Sequence, residues 1–146
     1  MKYKIVVDKY VNVPEELADN PSIEKISSGS NYQYPVDYMN AFYVDADMII
    51  VLASSTKVDD SYSAAVAGRR MCLDAMKRQG AVKKKIFILD YDPEAVNKSD
   101  IVRLAYNSCN KGLSFGDTCL DLMFEYNKVK MKHNFQQFSA MCPAGV

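Results

Sequence analysis

Two kinds of apolar pattern alternate along the chain. Lys4 to Val7 alternates around Ile5, Val6 and Val7 and ends at Asp8 as a first strand, whereas short continuous runs at Met48 to Ala53 and Lys85 to Asp90 are dominated by β-branched and aliphatic residues and end at polar positions. That is the pattern of strands buried on both faces of a parallel sheet. Elsewhere the apolar residues recur every three or four positions. Ser61 to Arg78 carries Ala64, Ala65, Gly68, Met71, Cys72, Ala75 and Met76 as one helical stripe, with Gly80 placed to close it. Asp100 to Asn110 and Gly116 to Tyr126 show the same period, through Ile101, Leu104, Ala105 and Cys109 and through Cys119, Leu122, Met123 and Tyr126. Proline supplies two further helix starts, at Pro35 for a helix to about Tyr43 and at Pro14 for a short one over Val13 to Leu17. Ile23 to Ile26 reads as a short strand, and Ser27 to Tyr34 and Ser54 to Asp60 as polar loops.

Strands alternating with helices imply right-handed crossovers, and so an α/β fold of three layers: a mainly parallel sheet with helices on both faces. Met48 to Ala53 and Lys85 to Asp90 are expected as adjacent central strands. Residues 1–131 are expected to form a single domain, and residues 132–146, which lack a strong pattern, an edge strand and a loose tail.

Composition narrows the function classes. With 49% hydrophobic and 25% charged residues the chain belongs with ordinary globular proteins. Eighteen Lys and Arg balance eighteen Asp and Glu, so the general attraction to a phosphate backbone is missing and nucleic acid is not an expected partner. The basic cluster Lys83 to Lys85 reads as a solvated strand start. The longest apolar stretch, Ala46 to Ala53, is interrupted by Asp47 and too short to span a bilayer, and Met1 to Asp8 lacks the apolar segment of a secretory signal; a cytoplasmic location is expected. Cys72, Cys109, Cys119 and Cys142 are widely spread and the chain has one histidine, His133, so no metal, disulfide framework or cofactor is expected. The first three cysteines read as buried thiols and Cys142 as part of the tail.

In an open parallel sheet, ligands gather outside the carboxyl ends of the strands. Those ends hold Asp8, Ser27 to Ser30, Ser54 to Thr56, and Asp90-Tyr91-Asp92. The cluster Ser54-Ser55-Thr56 leads into a helix, and hydroxyls with free amides near a helix start suit a carboxylate or phosphate. The same residues would also simply make a turn and cap the helix. Asp59 and Asp60 would repel a strongly anionic ligand, or else point to solvent as acids of the first helical turn. Asp90 and Asp92 are spaced as metal ligands can be, but Asp-Tyr-Asp-Pro after a strand reads more simply as a turn. A serine nucleophile would need a base, and the one histidine lies near the weakly patterned end. No G-x-S-x-G, P-loop or G-x-G-x-x-G is present.

Several of these segments, in order and spacing, resemble the amino-terminal half of the DegV family of fatty-acid-binding proteins. Lys4-Ile5-Val6-Val7-Asp8 followed by Val13-Pro14-Glu15-Glu16-Leu17 is similar to that family's opening strand, acidic turn and D-L-P-E-E-L-type helix. Met48 to Ala53 with Ser55 to Ala65 aligns without a gap on its strand and S-S-x-L-S-G-T-Y-x-S-A segment, and Lys85 to Asp90 resembles its K-I-Y-V-I-D strand. Counting back from Asp37-Tyr38 places Ser30 at the family's carboxylate-binding Thr. The resemblance covers roughly residues 1–116. It implies that Ser30, Ser55 and Thr56 hold a fatty-acid carboxylate, with Ser61 and Asp8 in the same candidate set, while the acyl chain enters an apolar tunnel. Two departures stand out: Lys9 replaces a Ser after Asp8, and Asp59-Asp60 replaces the S-G pair. A full DegV protein also has a second domain that helps close the site, and this chain reads as a truncated form.

The expected function is therefore non-catalytic binding of a fatty acid or similar small carboxylate-bearing lipid. The alternative is an interaction or regulatory module that kept the fold and lost the ligand. An enzyme related to dihydroxyacetone kinases or sugar phosphotransfer domains is disfavoured, since no histidine sits at a strand end. Ten Tyr and eight Met in a short chain point to self-association that would replace the missing half-site, as a homo-oligomer, unless the Met residues merely fill core gaps.

Overall fold

Four strands pair into one sheet, all parallel, in the order β2-β1-β3-β4. They are β1 (Tyr3–Val7), β2 (Ile23–Lys25), β3 (Met48–Ala53) and β4 (Lys85–Asp90), and the helices are α1 (Tyr34–Phe42), α2 (Ser61–Arg78), α3 (Asp100–Cys109) and α4 (Phe115–Met141). The protein is described by a computed structural model over residues 2–27, 32–54, 60–80 and 84–141. β3 is buried at every position because both its faces are covered. Its period of two sends Ile49, Val51 and Ala53 to one side, against α1 and α2, and Met48, Ile50 and Leu52 to the other, against α3 and α4.

The strand order explains which helix covers which face. The chain leaves β1 toward β2 on one side, then returns past β1 to β3 and continues to β4. Right-handed crossovers running in opposite directions must lie on opposite faces. Accordingly Leu17, in the single 3-10 turn that joins β1 to β2, belongs to the α3–α4 face, whereas α1 and α2 share the other.

β3, β4 and α2 have the bounds that periodicity predicts, and β1, β2, α1 and α3 differ by a residue at an end. Gly80 closes the turn after α2 with a φ of 69°, in the left-handed region. Three expectations need correction. β4 pairs with β3 in parallel as expected, but it is the edge of the sheet and not central, because the chain crosses to the opposite face after it. The expected helix at Val13 to Leu17 shrinks to Glu15–Leu17. The expected edge strand after Lys132 is not formed: α4 runs on to Met141, and no Gly or Pro lies between Gly116 and Pro143 to stop it. Among the described residues, no helix is long and apolar enough to cross a membrane.

α1 and α2 approach closely at Gly68. A Cβ there would lie 2.7 Å from the Pro35 carbonyl oxygen, 2.7 Å from the Tyr38 Cβ and 2.9 Å from the Met39 nitrogen. Two of these are backbone atoms that cannot swing aside. Gly68→Ala should gain about 1 kcal/mol of helix propensity and lose more to the clash, since overpacking typically costs about 1–3 kcal/mol and rises when the neighbours are rigid. A net fall in stability is expected in a denaturant melt; an equal or higher midpoint would show that the helices separate at no cost.

Candidate functional site

The first residue past the end of three parallel strands is polar: Asp8 after β1, Ser54 after β3 and Tyr91 after β4. Parallel register brings the three to one edge. This edge contains the point between β1 and β3 where the chain reverses direction across the sheet, the usual ligand crevice of such folds.

Asp8 is completely buried. One carboxylate oxygen accepts from the backbone N–H groups of Tyr10 and Val11, each at 3.1 Å. The other accepts from the Ser54 N–H and hydroxyl, also at 3.1 Å. The Tyr91 hydroxyl completes the shell, 3.0 and 3.1 Å from the two oxygens. A buried carboxylate needs such a set of donors to offset its desolvation. Asp8 thus fastens the ends of three strands together, and its lone pairs are committed to the protein.

Ser61, the first residue of α2, is also fully buried. Its Oγ accepts from the Tyr34 hydroxyl at 3.0 Å and shares a 2.5 Å hydrogen bond with the Tyr38 hydroxyl. Tyr34 and Tyr38, one turn apart on α1, stack with ring centroids 5.2 Å apart. The Lys9 ammonium sits 5.0 Å from the Tyr34 ring centroid and 5.3 Å from that of Tyr10, within cation–π range. The Tyr62 N–H donates to the Ser54 carbonyl at 3.1 Å, which joins the Asp8 cluster to the Ser61 cluster.

Burial raises the pKa of both Tyr38 and Tyr91, and the negative charge of Asp8 adds to the effect at each. Both phenols therefore remain protonated donors well beyond neutral pH.

Of the five candidate residues, Asp8 and Ser61 are brought to one edge, whereas Ser30, Ser55 and Thr56 lie outside the described residues. Asp60 caps α2, accepting from the Ser63 N–H at 2.9 Å and its hydroxyl at 2.6 Å. After β4, Asp92 accepts from the Glu94 N–H at 2.9 Å in a turn, so Asp-Tyr-Asp-Pro takes the turn reading. Among the described residues, no three His, Cys, Asp or Glu side chains gather as a metal site would require. Cys72, Cys109 and Cys119 are free and buried, and burial pushes the thiols of Cys109 and Cys119 up to about 12 and about 11. The roles of Tyr34 and Tyr38 were not visible in the pattern, although their spacing of four beside a Ser-rich loop was the available signal.

The sequence matches no protein-family model and no curated protein. Solved structures share the fold. A DegV-family protein from Ruminococcus gnavus, refined with vaccenic acid, superposes with a TM-score of 0.67 at 17% identity, over 86% of this chain and 55% of that one. A DegV lipid-binding protein from Thermotoga maritima gives 0.58 at 18% identity, over 88% and 55%. A further Thermotoga maritima protein, described as fatty-acid binding, gives 0.56 at 18%, over 84% and 54%. The α/β fold expected from the DegV resemblance is thus the fold found, and the chain spans about 55% of the length of these proteins.

Two outcomes follow from the buried shell. Asp8→Asn would turn an NH₂ group toward two of the donors, at a cost of about 3 kcal/mol, whereas Tyr91→Phe leaves the carboxylate four donors and should cost less, about 1.5 kcal/mol; chemical denaturation of both variants tests the ranking. At high pH the unfolded tyrosines ionise near 10 while Tyr38 and Tyr91 in the folded protein do not, so the unfolded state releases protons first and stability falls as pH rises above about 10, by up to about 1.4 kcal/mol per tyrosine per pH unit. Replacing both with Phe should lessen that slope in melts between pH 9 and 11, the remainder belonging to groups such as the Cys109 and Cys119 thiols that burial also holds up, while an unchanged slope would assign it wholly to them.

Proposed function

We propose that this protein binds a fatty acid or similar small carboxylate-bearing lipid without catalysing a reaction, with the carboxylate at the carboxyl edge of the sheet. The observation that carries the reading is the pair of buried hydroxyl networks at Ser54 and Ser61, which anchor both ends of the segment between β3 and α2. Ser55 and Thr56 are the next residues after Ser54, and the gap-free resemblance to the DegV S-S segment falls on them. Support comes from the shared fold and from the lipids or fatty acids named for the proteins that have it.

Electrostatics favours a single negative charge over a phosphate dianion. Lys9 brings a cation to the edge beside Tyr34. Asp8 is screened by five donor groups, and Asp60 is engaged in its cap. In this reading Asp8 holds the edge in shape while Ser55, Thr56 and Ser30 supply hydroxyls to the carboxylate. Ser61 acts from behind, fixing α2 to the α1 tyrosines.

Wild type should bind a fluorescent fatty acid. Removing one hydroxyl from a charged contact costs roughly 1.5–3 kcal/mol, so Ser55→Ala should weaken binding about tenfold to a hundredfold with little change in melting temperature. Equal affinities would remove Ser55 from the site. No binding by wild type would overturn the reading in favour of an interaction module on the same fold.

A further inference from the structure

Beyond Val129, α4 contributes no residue to the described core, and Met131, Phe135 and Phe138 lie on the side opposite the sheet. Cys119, Leu122 and Tyr126 face the core, and Val129 packs against it. Leu120, Phe124, Met131, Phe135 and Phe138 are each between 62% and 71% exposed. At 3.6 residues per turn these five fall within an arc of about 60°, so they form one continuous stripe along the helix. Phe124, Met131 and Phe138 are spaced by seven, as in the seam of a helix pair.

We propose that a second copy of this chain covers the stripe, through antiparallel pairing of the two α4 helices about a twofold axis. The charges on α4 set the orientation. Its acidic residues, Asp117, Asp121 and Glu125, all precede Tyr126, and its lysines, Lys128, Lys130 and Lys132, all follow it. A parallel pair would set like charges side by side. An antiparallel pair sets the acidic half of each helix along the basic half of the other. It also seats the unsupported half of each α4 on Leu120 and Phe124 of the other copy, which are exposed although their half of the helix is docked on the sheet.

The area is sufficient. With about 150–250 Å² per aromatic side chain and these exposures, the five residues present on the order of 600 Å² of apolar side chain per copy. Two copies reach the total of about 1,200 Å² at which stable interfaces begin, and each patch alone is at the upper end of what a monomer leaves bare. A twofold pair uses the same stripe on both copies and closes at two.

Sedimentation velocity of the full chain tests this. Wild type at about 10 μM is expected to run as a dimer. Phe124→Glu with Phe135→Glu should give a monomer that still unfolds cooperatively, because neither side chain belongs to the described core. Met131→Lys, at a third stripe position, gives the same test independently. Lys128→Glu, Lys130→Glu and Lys132→Glu together should weaken the dimer tenfold or more; this also removes the local Lys128–Glu125 pair at 3.5 Å, whose loss a circular-dichroism melt reads separately. A monomeric wild type, a dimer that survives the stripe variants, or assembly beyond two would overturn the proposal. Unchanged association in the lysine variant would overturn the antiparallel arrangement.

Discussion

A carboxylate buried among strand ends holds the carboxyl edge of the sheet in place. Asp8 sits where three strands stop, and its two oxygens gather donors from the turn after β1, from the end of β3 and from the residue after β4. Hydrogen bonds to an ionised group are stronger than those between neutral groups, and a buried charge left without them is costly. The surrounding backbone is therefore held to the one geometry that keeps the shell complete. The Ser54 N–H and hydroxyl bind one oxygen, and the Ser54 carbonyl in turn receives the Tyr62 N–H, so the order imposed at Asp8 extends to the start of α2.

From there a second network takes over. Ser61 is enclosed by two stacked tyrosines of α1, and Gly68, two turns further along α2, lets the same two helices touch backbone to backbone. One contact fixes the near end of the helix pair and the other fixes its middle. Ser54 and Ser61 are thus both held by groups with little freedom.

Much of the fold was legible because its signals were local. β3 and β4 are short apolar runs bounded by polar residues, and α2 has a single stripe with a capping Asp60 and a closing Gly80. The position of Asp8 at a strand end was equally plain. What escaped were features that depend on two distant segments. Tyr91 bonds a residue 83 positions away, and the hydroxyls of Tyr34 and Tyr38 acquire a role only because α2 delivers Ser61 to them. The full length of α4 is hidden for a different reason: its core-facing positions Leu122, Tyr126 and Val129 and its exposed positions Phe124, Met131 and Phe135 lie on opposite sides, so the two stripes cancel the one-sided pattern by which a helix is recognised.

The strand order also bears on how the chain assembles. β1 is made first but occupies an inner position, and its pairing with β3 joins residues 3–7 to residues 48–52. Contacts of such sequence separation slow folding, because a long loop must close before any of them is gained. During synthesis β1 leaves the ribosome with neither neighbour available, and the Asp8 carboxylate stays hydrated until Ser54 and then Tyr91 have followed. Desolvating that carboxylate is favourable only once its donors are all in place, so the last strand to arrive seals a charge carried by the first.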